Sequence, residues 1–264
     1  MVVLANGEID VTVEPGQGAA VLSMRRVGGA EWLAPGRWGD DIDPDEFTTT
    51  GLRGYDDCFL SISRATALVD GAPVRVPDHG PTWSRAWEVQ ARSQTSLTCS
   101  IALPEYGCRL RRSDELTGTT LRMAYALVNG RDADLAFVWA GHGLLVPSAG
   151  LRFSGGDVRG RWTDIPEGTA RKWFVPWPAE GVRVESGAET LLIQADAPSP
   201  LWLGVWHNRH GHELVPAVEH LGLEPTLGDD DSLDVARARG TAAVVAGHGS
   251  YAWTVSYTLG VAAR

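Results

Sequence analysis

The stretch YAWTVSYTL, residues 251–259, alternates without a break. Tyr251, Trp253, Val255, Tyr257 and Leu259 are apolar, and Ala, Thr, Ser and Thr stand between them. A period of two puts successive side chains on opposite faces, so this is a half-buried β-strand with one wet face. The same period recurs at Ile9/Val11/Val13, at Leu97/Cys99/Ile101/Leu103 and at Leu121/Met123/Tyr125/Leu127. Turn pairs separate these runs: Pro15-Gly16, Gly28-Gly29, Asn129-Gly130, Gly155-Gly156 and Ser186-Gly187. Only DSLDVARARG, residues 231–240, has a helical pattern, with Asp231 or Ser232 as its cap. Many short strands and almost no helix predict an all-β antiparallel sandwich or barrel. With no Pro/Ser-rich linker and no internal repeat, residues 1–264 read as a single domain.

Composition narrows the function. A formal charge of −10 opposes a nucleic-acid partner, whose affinity comes from clustered cations. No apolar run approaches the ~18 residues of a membrane span. The N-terminal residues lack a basic segment followed by an apolar one, and Cys58, Cys99 and Cys108 form no disulfide framework, so a cytoplasmic location is expected. Lys172 is the only lysine. The run Asp229, Asp230, Asp231 reads as a solvated turn, with a calcium site as the sharper alternative.

Several familiar chemistries are missing. Gly16-Gln17-Gly18-Ala19-Ala20-Val21 lacks the last glycine of a dinucleotide loop, and no phosphate-binding loop or GxSxG elbow occurs. His212-Glu213 starts like a zincin helix, but proline occupies position 216. The segment HNRHGHELVPAVEH, residues 207–220, is dense in histidine yet reads as the loop of a hairpin after LWLGVW; no metal and no cofactor are expected. What remains is a set of polar residues among aromatics at strand ends. Arg53 and Asp56 lie in GLRGYDDC, His79 and Arg85 in VPDHGPTWSRAWEV, His142 in FVWAGHGLL and Glu224 in LGLEPT. A lone histidine on a strand is commonly a hydrogen-bonded core residue; the functional case rests on these residues occurring together.

Taken in order, the segments resemble the aldose 1-epimerase (galactose mutarotase) family, in particular its shorter members. GGAEWLAP is similar to the family's opening strand pair, GLRGYDDCF to its Gly-Gly-Trp-Asp/Glu-x-Phe segment, and DHGPTWSRAWEV to its His-Gly turn and following strand. The hairpin LRMAYALVNGRDADLAFVWAGHGLL resembles the one that carries the second histidine. IPEG looks like the Leu-Pro-Thr-Gly turn, and GLEPTLGDDDSL like the Glu-Pro motif with its downstream Asp-x-Leu.

The resemblance implies an antiparallel β-supersandwich of the galactose mutarotase type, with a carbohydrate cleft and no cofactor. It implies an isomerase that interconverts the anomers of a free sugar: Glu224 as base on the anomeric hydroxyl, His142 as acid on the ring oxygen, and His79 sharing that proton. The three should converge, with Glu224 facing the histidines across a gap the width of a sugar ring. Arg53, Asp56 and Arg85 are the expected hydroxyl-binding groups; Trp83, Trp139 and Trp177 are the expected stacking surfaces, while Trp202 and Trp253 read as core. Arg85 stands two residues late, with Trp83 in the expected place; Gly143 replaces the usual proline or tyrosine; and KWFVPWPAEG holds no equivalent of the sugar-gripping aspartate. A sugar other than galactose or glucose is therefore expected. Two other classes fit the same residues: a non-catalytic sugar-binding or regulatory protein, and an enzyme acting on a modified sugar, such as a hexose-phosphate epimerase or a glycoside-processing lyase.

Overall fold

Every alternating run forms a strand, and the order of the strands shows where alternation fails. The computed structural model describes residues 1–36, 42–50, 53–69, 71–215 and 217–262, which leaves Gly51 and Leu52 of the GLRGYDDCF segment, and Pro216, outside the described residues. Along the chain come β1 (Val2–Ala5), β2 (Ile9–Glu14), β3 (Ala20–Arg26), β4 (Tyr55–Leu60), β5 (Ala65–Val69), β6 (Ala72–Val76) and β7 (Glu88–Arg92). Then follow β8 (Ser96–Leu103), β9 (Cys108–Thr117), β10 (Thr120–Asn129), β11 (Leu135–Leu145), β12 (Arg152–Gly155), β13 (Val158–Arg161) and β14 (Thr169–Pro176). The last are β15 (Val182–Ser186), β16 (Glu189–Asp196), β17 (Trp202–Arg209), β18 (Glu219–Leu227), the helix α1 (Leu233–Arg239), β19 (Ala243–Val245) and β20 (Ser250–Val261).

Two antiparallel sheets result. One runs β1-β2-β3-β4-β11-β18-β17-β14, with β19 added beside β11; the other runs β13-β12-β15-β16-β20-β10-β9-β8-β7. Strands β5 and β6 make a separate hairpin. In the second sheet the period of two is preserved: the odd residues of β20 from Tyr251 to Leu259 are buried and the even ones open outward, as the sequence predicts. In the first sheet the central strands β4, β11 and β18 are buried almost throughout, because loops and α1 cover their outer face as well. Ser232 caps α1, accepting from Val235 N, and Gly240 closes it in the left-handed conformation. No helix among the described residues is long and apolar enough to cross a membrane.

The core between the sheets is aromatic at its centre. Tyr125 and Trp253 stack with ring centroids 4.9 Å apart and planes 2° from parallel, and Trp139 meets both edge-on. One ionic network is sealed into this core. Arg112 of β9 donates from Nη1 to Asp57 Oδ2 (2.8 Å) in the opposite sheet, and from Nε and Nη2 to Asp114 (2.9 and 3.0 Å). Arg112 also donates to the carbonyl of Ala19, and Trp139 Nε1 donates to Asp57 Oδ1 at 3.0 Å. A buried pair adds little over an apolar pair of the same shape, but removing one partner strands the other. Arg112→Leu should therefore cost about 3–5 kcal/mol in denaturant unfolding, and the further changes Asp57→Asn and Asp114→Asn should recover much of it. A single variant within about 1 kcal/mol of the parent would mean that the network is not what ties the sheets together.

Candidate functional site

The register of the first sheet lines up the polar residues on its outer face. His142 lies opposite Asp56 across the β4–β11 pairing. On its other side Ala140 pairs with Thr226 and Leu144 with Gly222, so His142 and Glu224 occupy the same line across the sheet. Glu224 in turn is opposite Gly204, and Lys172 is opposite Trp206. Gly222 makes room for the carboxylate: a Cβ there would lie 2.7 Å from Glu224 Oε1 and 3.2 Å from Trp206 Cβ.

His79 arrives from the loop between β6 and β7. Its φ of 58° and the 76° of Gly80 make a left-handed corner, and a Cβ on Gly80 would sit 2.0 Å from the carbonyl oxygen of Phe59. The His79 amide donates to Ile62 O at 2.6 Å, and its Nδ1 lies 3.1 Å from Asp78 Oδ1. Phe47 clamps both histidines: it stacks on His79 at 4.3 Å and meets His142 edge-on at 5.0 Å, while the two imidazoles are 5.0 Å apart.

These groups surround a cavity of about 220 Å³. His79, His142, Asp78, Lys172 and Asp231 line it together with Thr48, Ile62, Ser63, Trp206 and His212. Glu224 is fully buried at its edge. Lys172 Nζ donates to Glu224 Oε2 at 2.7 Å and reaches Asp231 Oδ1 at 2.9 Å, and Glu224 Oε1 lies 3.7 Å from His142 Nε2.

Burial and neighbouring charge set the protonation states. Burial pushes the Glu224 carboxyl up, and the Lys172 ammonium works against that push. Burial and the nearby His79 and Lys172 hold His142 well below the usual histidine range, so its imidazole is neutral at physiological pH. Burial would lower Lys172, but Glu224 and Asp231 together raise it above the ordinary lysine range. Asp56 is raised to about 7 by burial, with Arg53 offsetting part of the effect.

The structure brings His79, His142 and Glu224 together, but not across a gap the width of a ring. The 3.7 Å separation suits two oxygens bonded to one carbon, which is what an anomeric hydroxyl and a ring oxygen are. Asp56 and Arg53 are buried beside each other, one strand away from His142, and do not line the cavity. Four expected binding residues lie elsewhere. Arg85 turns outward to Glu105, because the carbonyl of Arg85 and the indole of Trp87 are tied to Gly18 and Thr82 and face the strand inward. Trp83 is buried behind Phe47, with its Nε1 donating to Asp78 O at 2.8 Å. Trp139 belongs to the inner face of β11 and the aromatic core, and Trp177 packs against the core after β14 has ended. Trp202, read as core, is half-buried on the outer face instead, two repeats from Trp206, which does line the cavity.

The acidic run divides: Asp229 and Asp230 pair with Arg239, and Asp231 turns to Lys172. The loop histidines disperse likewise. His220 Nε2 accepts from Trp206 Nε1 at 2.5 Å, His207 meets Thr169, and only His212 reaches the cavity. Lys172 and Phe47 were not singled out for the site by the sequence reading. The one available signal was that Lys172 is the sole lysine in an arginine-rich chain.

No known sequence family and no curated protein matches the chain by sequence. Solved structures do match it over almost their whole length. A putative aldose 1-epimerase from Escherichia coli K12 superposes with a TM-score of 0.76 at 16% identity, covering 98% of both chains. The Slr1438 protein from Synechocystis sp. PCC 6803 gives 0.74 at 15% identity, covering 99% of this chain and 96% of its own. A galactose mutarotase related enzyme from Lactobacillus acidophilus gives 0.73 at 15% identity, covering 98% and 97%. At these identities the likeness establishes architecture: the chain has the galactose mutarotase-like fold.

Proposed function

We propose that the protein is an aldose 1-epimerase-type isomerase that opens and recloses the ring of an uncharged sugar. The observation that carries this reading is the convergence of His79, His142 and Glu224, from three separate segments, on one cavity of a fold shared with proteins described as aldose epimerases. Glu224 takes the proton of the anomeric hydroxyl; the bond from the anomeric carbon to the ring oxygen breaks as the carbonyl forms, and a proton is delivered to the ring oxygen. His79, partly exposed and backed by Asp78, is the group placed to deliver it. His142, neutral, donates a hydrogen bond that holds the ring oxygen in place. Rotation of the open aldehyde and the reverse transfers give the other anomer.

The charge around the cavity favours a neutral substrate. Lys172 is already shared between two carboxylates, and Asp78 adds a third acidic group to the lining, so a sugar phosphate meets no uncommitted cation among the described cavity residues. Lys172 has a part in the chemistry as well: it keeps a buried carboxylate ionised, and Asp231 offers it a second partner when Glu224 engages the sugar. The burial of Glu224 beneath that lysine also supports a second reading, a sugar-binding protein on the same fold.

Two variants test the proposal. Glu224→Gln keeps the shape and removes the base, so anomer exchange measured by NMR over a panel of free aldoses should fall about 10²-fold or more. Exchange at the parent rate would remove Glu224 from the mechanism, and a parent protein that binds aldoses without accelerating exchange would favour the binding protein. Lys172→Met removes the charge that holds the Glu224 pKa down. The base then stays protonated to higher pH, so the acid limb of the rate profile should move upward and the rate at neutral pH should fall roughly tenfold. An unmoved limb would show that Lys172 does not tune the base.

A further inference from the structure

Cys58 has no part in the proposed proton transfers, yet it lies beside both histidines. It projects from the outer face of β4, opposite Ala140 and two residues from Asp56, and is completely buried. Its sulfur and one ring nitrogen from each of His79 and His142 all lie within 4.8 Å of one another. We propose that these three side chains form a site for a single thiophilic divalent ion, zinc by its ligand types.

A thiolate with two imidazoles is a borderline-soft N/S donor set, which suits zinc better than calcium or magnesium. With Zn–S of ~2.3 Å and Zn–N of ~2.0–2.1 Å, tetrahedral ligand atoms lie roughly 3.5 Å apart, so shifts of under about 1 Å would close the set. The surroundings suit a metal. Asp78 Oδ1 stands 3.1 Å from His79 Nδ1, so a carboxylate lies behind the ring, as is common beside zinc-bound histidines. The cavity beside these three side chains gives access for an exchangeable fourth donor. Binding converts the Cys58 thiol to thiolate and releases its proton to solvent. The histidine-rich loop at 207–220, where a metal would first be sought by composition, holds no such cluster among the described residues. An ion here would occupy the nitrogens assigned to the sugar, so metal and aldose should compete; that consequence rests on the proposed isomerase reading, whereas the site itself does not.

Cobalt tests the site without reference to activity. The full chain, stripped with a chelator and titrated with Co²⁺, should bind one equivalent, showing the intense visible bands of a tetrahedral ion and a near-ultraviolet sulfur-to-cobalt charge-transfer band, both erased by Zn²⁺. Cys58→Ser should lose the charge-transfer band, while Cys99→Ser and Cys108→Ser, both in the second sheet, should keep it. His79→Asn, which tolerates the left-handed backbone, should weaken Co²⁺ binding roughly tenfold or more. No charge-transfer band at saturating Co²⁺, a band that survives Cys58→Ser, or an affinity unchanged by His79→Asn would each overturn the proposal. If Cys58→Ser does not fold, the His79→Asn titration decides alone. Zinc binding without any loss of aldose exchange would count against the isomerase roles of the histidines and leave the metal site standing.

Discussion

Arg112 decides which way β4 faces. Two aspartates stand side by side on that strand, and a period of two sends them to opposite faces. Asp57 enters the sandwich, where Arg112 and Trp139 supply the donors that a buried carboxylate requires. Asp56 and Cys58 are thereby turned outward. A slip of one residue would put Asp56 against Arg112 and withdraw Cys58 from the histidines. Because β11 pairs with β4 in register, the same contact fixes the position of His142 opposite Asp56, and through β18 that of Glu224. A guanidinium inside the core thus sets the geometry of a cavity on the far side of the sheet.

The half of the fold that was legible in the sequence is the half with a wet face. In β2, β8, β10 and β20 one face meets water, so alternation survives in the residues and the strands could be drawn from them. Strands β4, β11 and β18 are covered on both faces, and YDDCFL or FVWAGHGLL carries no period. There the visible signal was chemical: an isolated His142, Glu224 or Asp56 in an apolar run. Such residues stand out because a buried polar group needs a partner; His142 and Glu224 do meet at the cavity, Asp56 is buried away from it, and the distances follow only from the strand pairing. The tryptophans misled because an indole suits core and cleft equally. Trp139 and Trp206 differ only in which face of a strand they occupy, and that parity depends on pairing partners distant in the chain. Lys172 and Phe47 were invisible as site residues for the same reason. A lysine four strands from β4 and a phenylalanine in a short 3₁₀ turn join the site only when the sheet brings them beside Glu224 and His79.

The electrostatics of the cavity follow from its depth. A fully buried carboxylate left alone would take up a proton, and a buried imidazole would give one up; the first tendency disables a base and the second an acid. The structure opposes the first by placing Lys172 on Glu224 and leaves the second in force at His142. His79 differs in position, since its loop keeps it at the cavity wall with Asp78 behind it. The two imidazoles thus differ in depth, His142 being buried and His79 standing at the cavity wall.

The outer face of β11 shows why the cavity lies where it does. Its residues run Val138, Ala140, His142, Leu144. Val138 and Ala140 pack beneath α1 with Cys58, Leu233 and Ala236, whereas Leu144 packs beneath Phe47 from the β3–β4 connection and Trp83 from the β6–β7 loop. These are two small apolar clusters under two different covers, and His142 stands at the seam between them. Apolar burial drives each cover down onto its own patch, and nothing apolar draws them together over an imidazole. The seam stays open as a consequence. His79 comes from the loop that approaches one side of it, Asp231 from the turn that leads into α1 on the other, and Lys172 reaches in from β14. A single polar residue in an otherwise apolar row therefore accounts both for the gap in the packing and for the ring of titratable groups that line it.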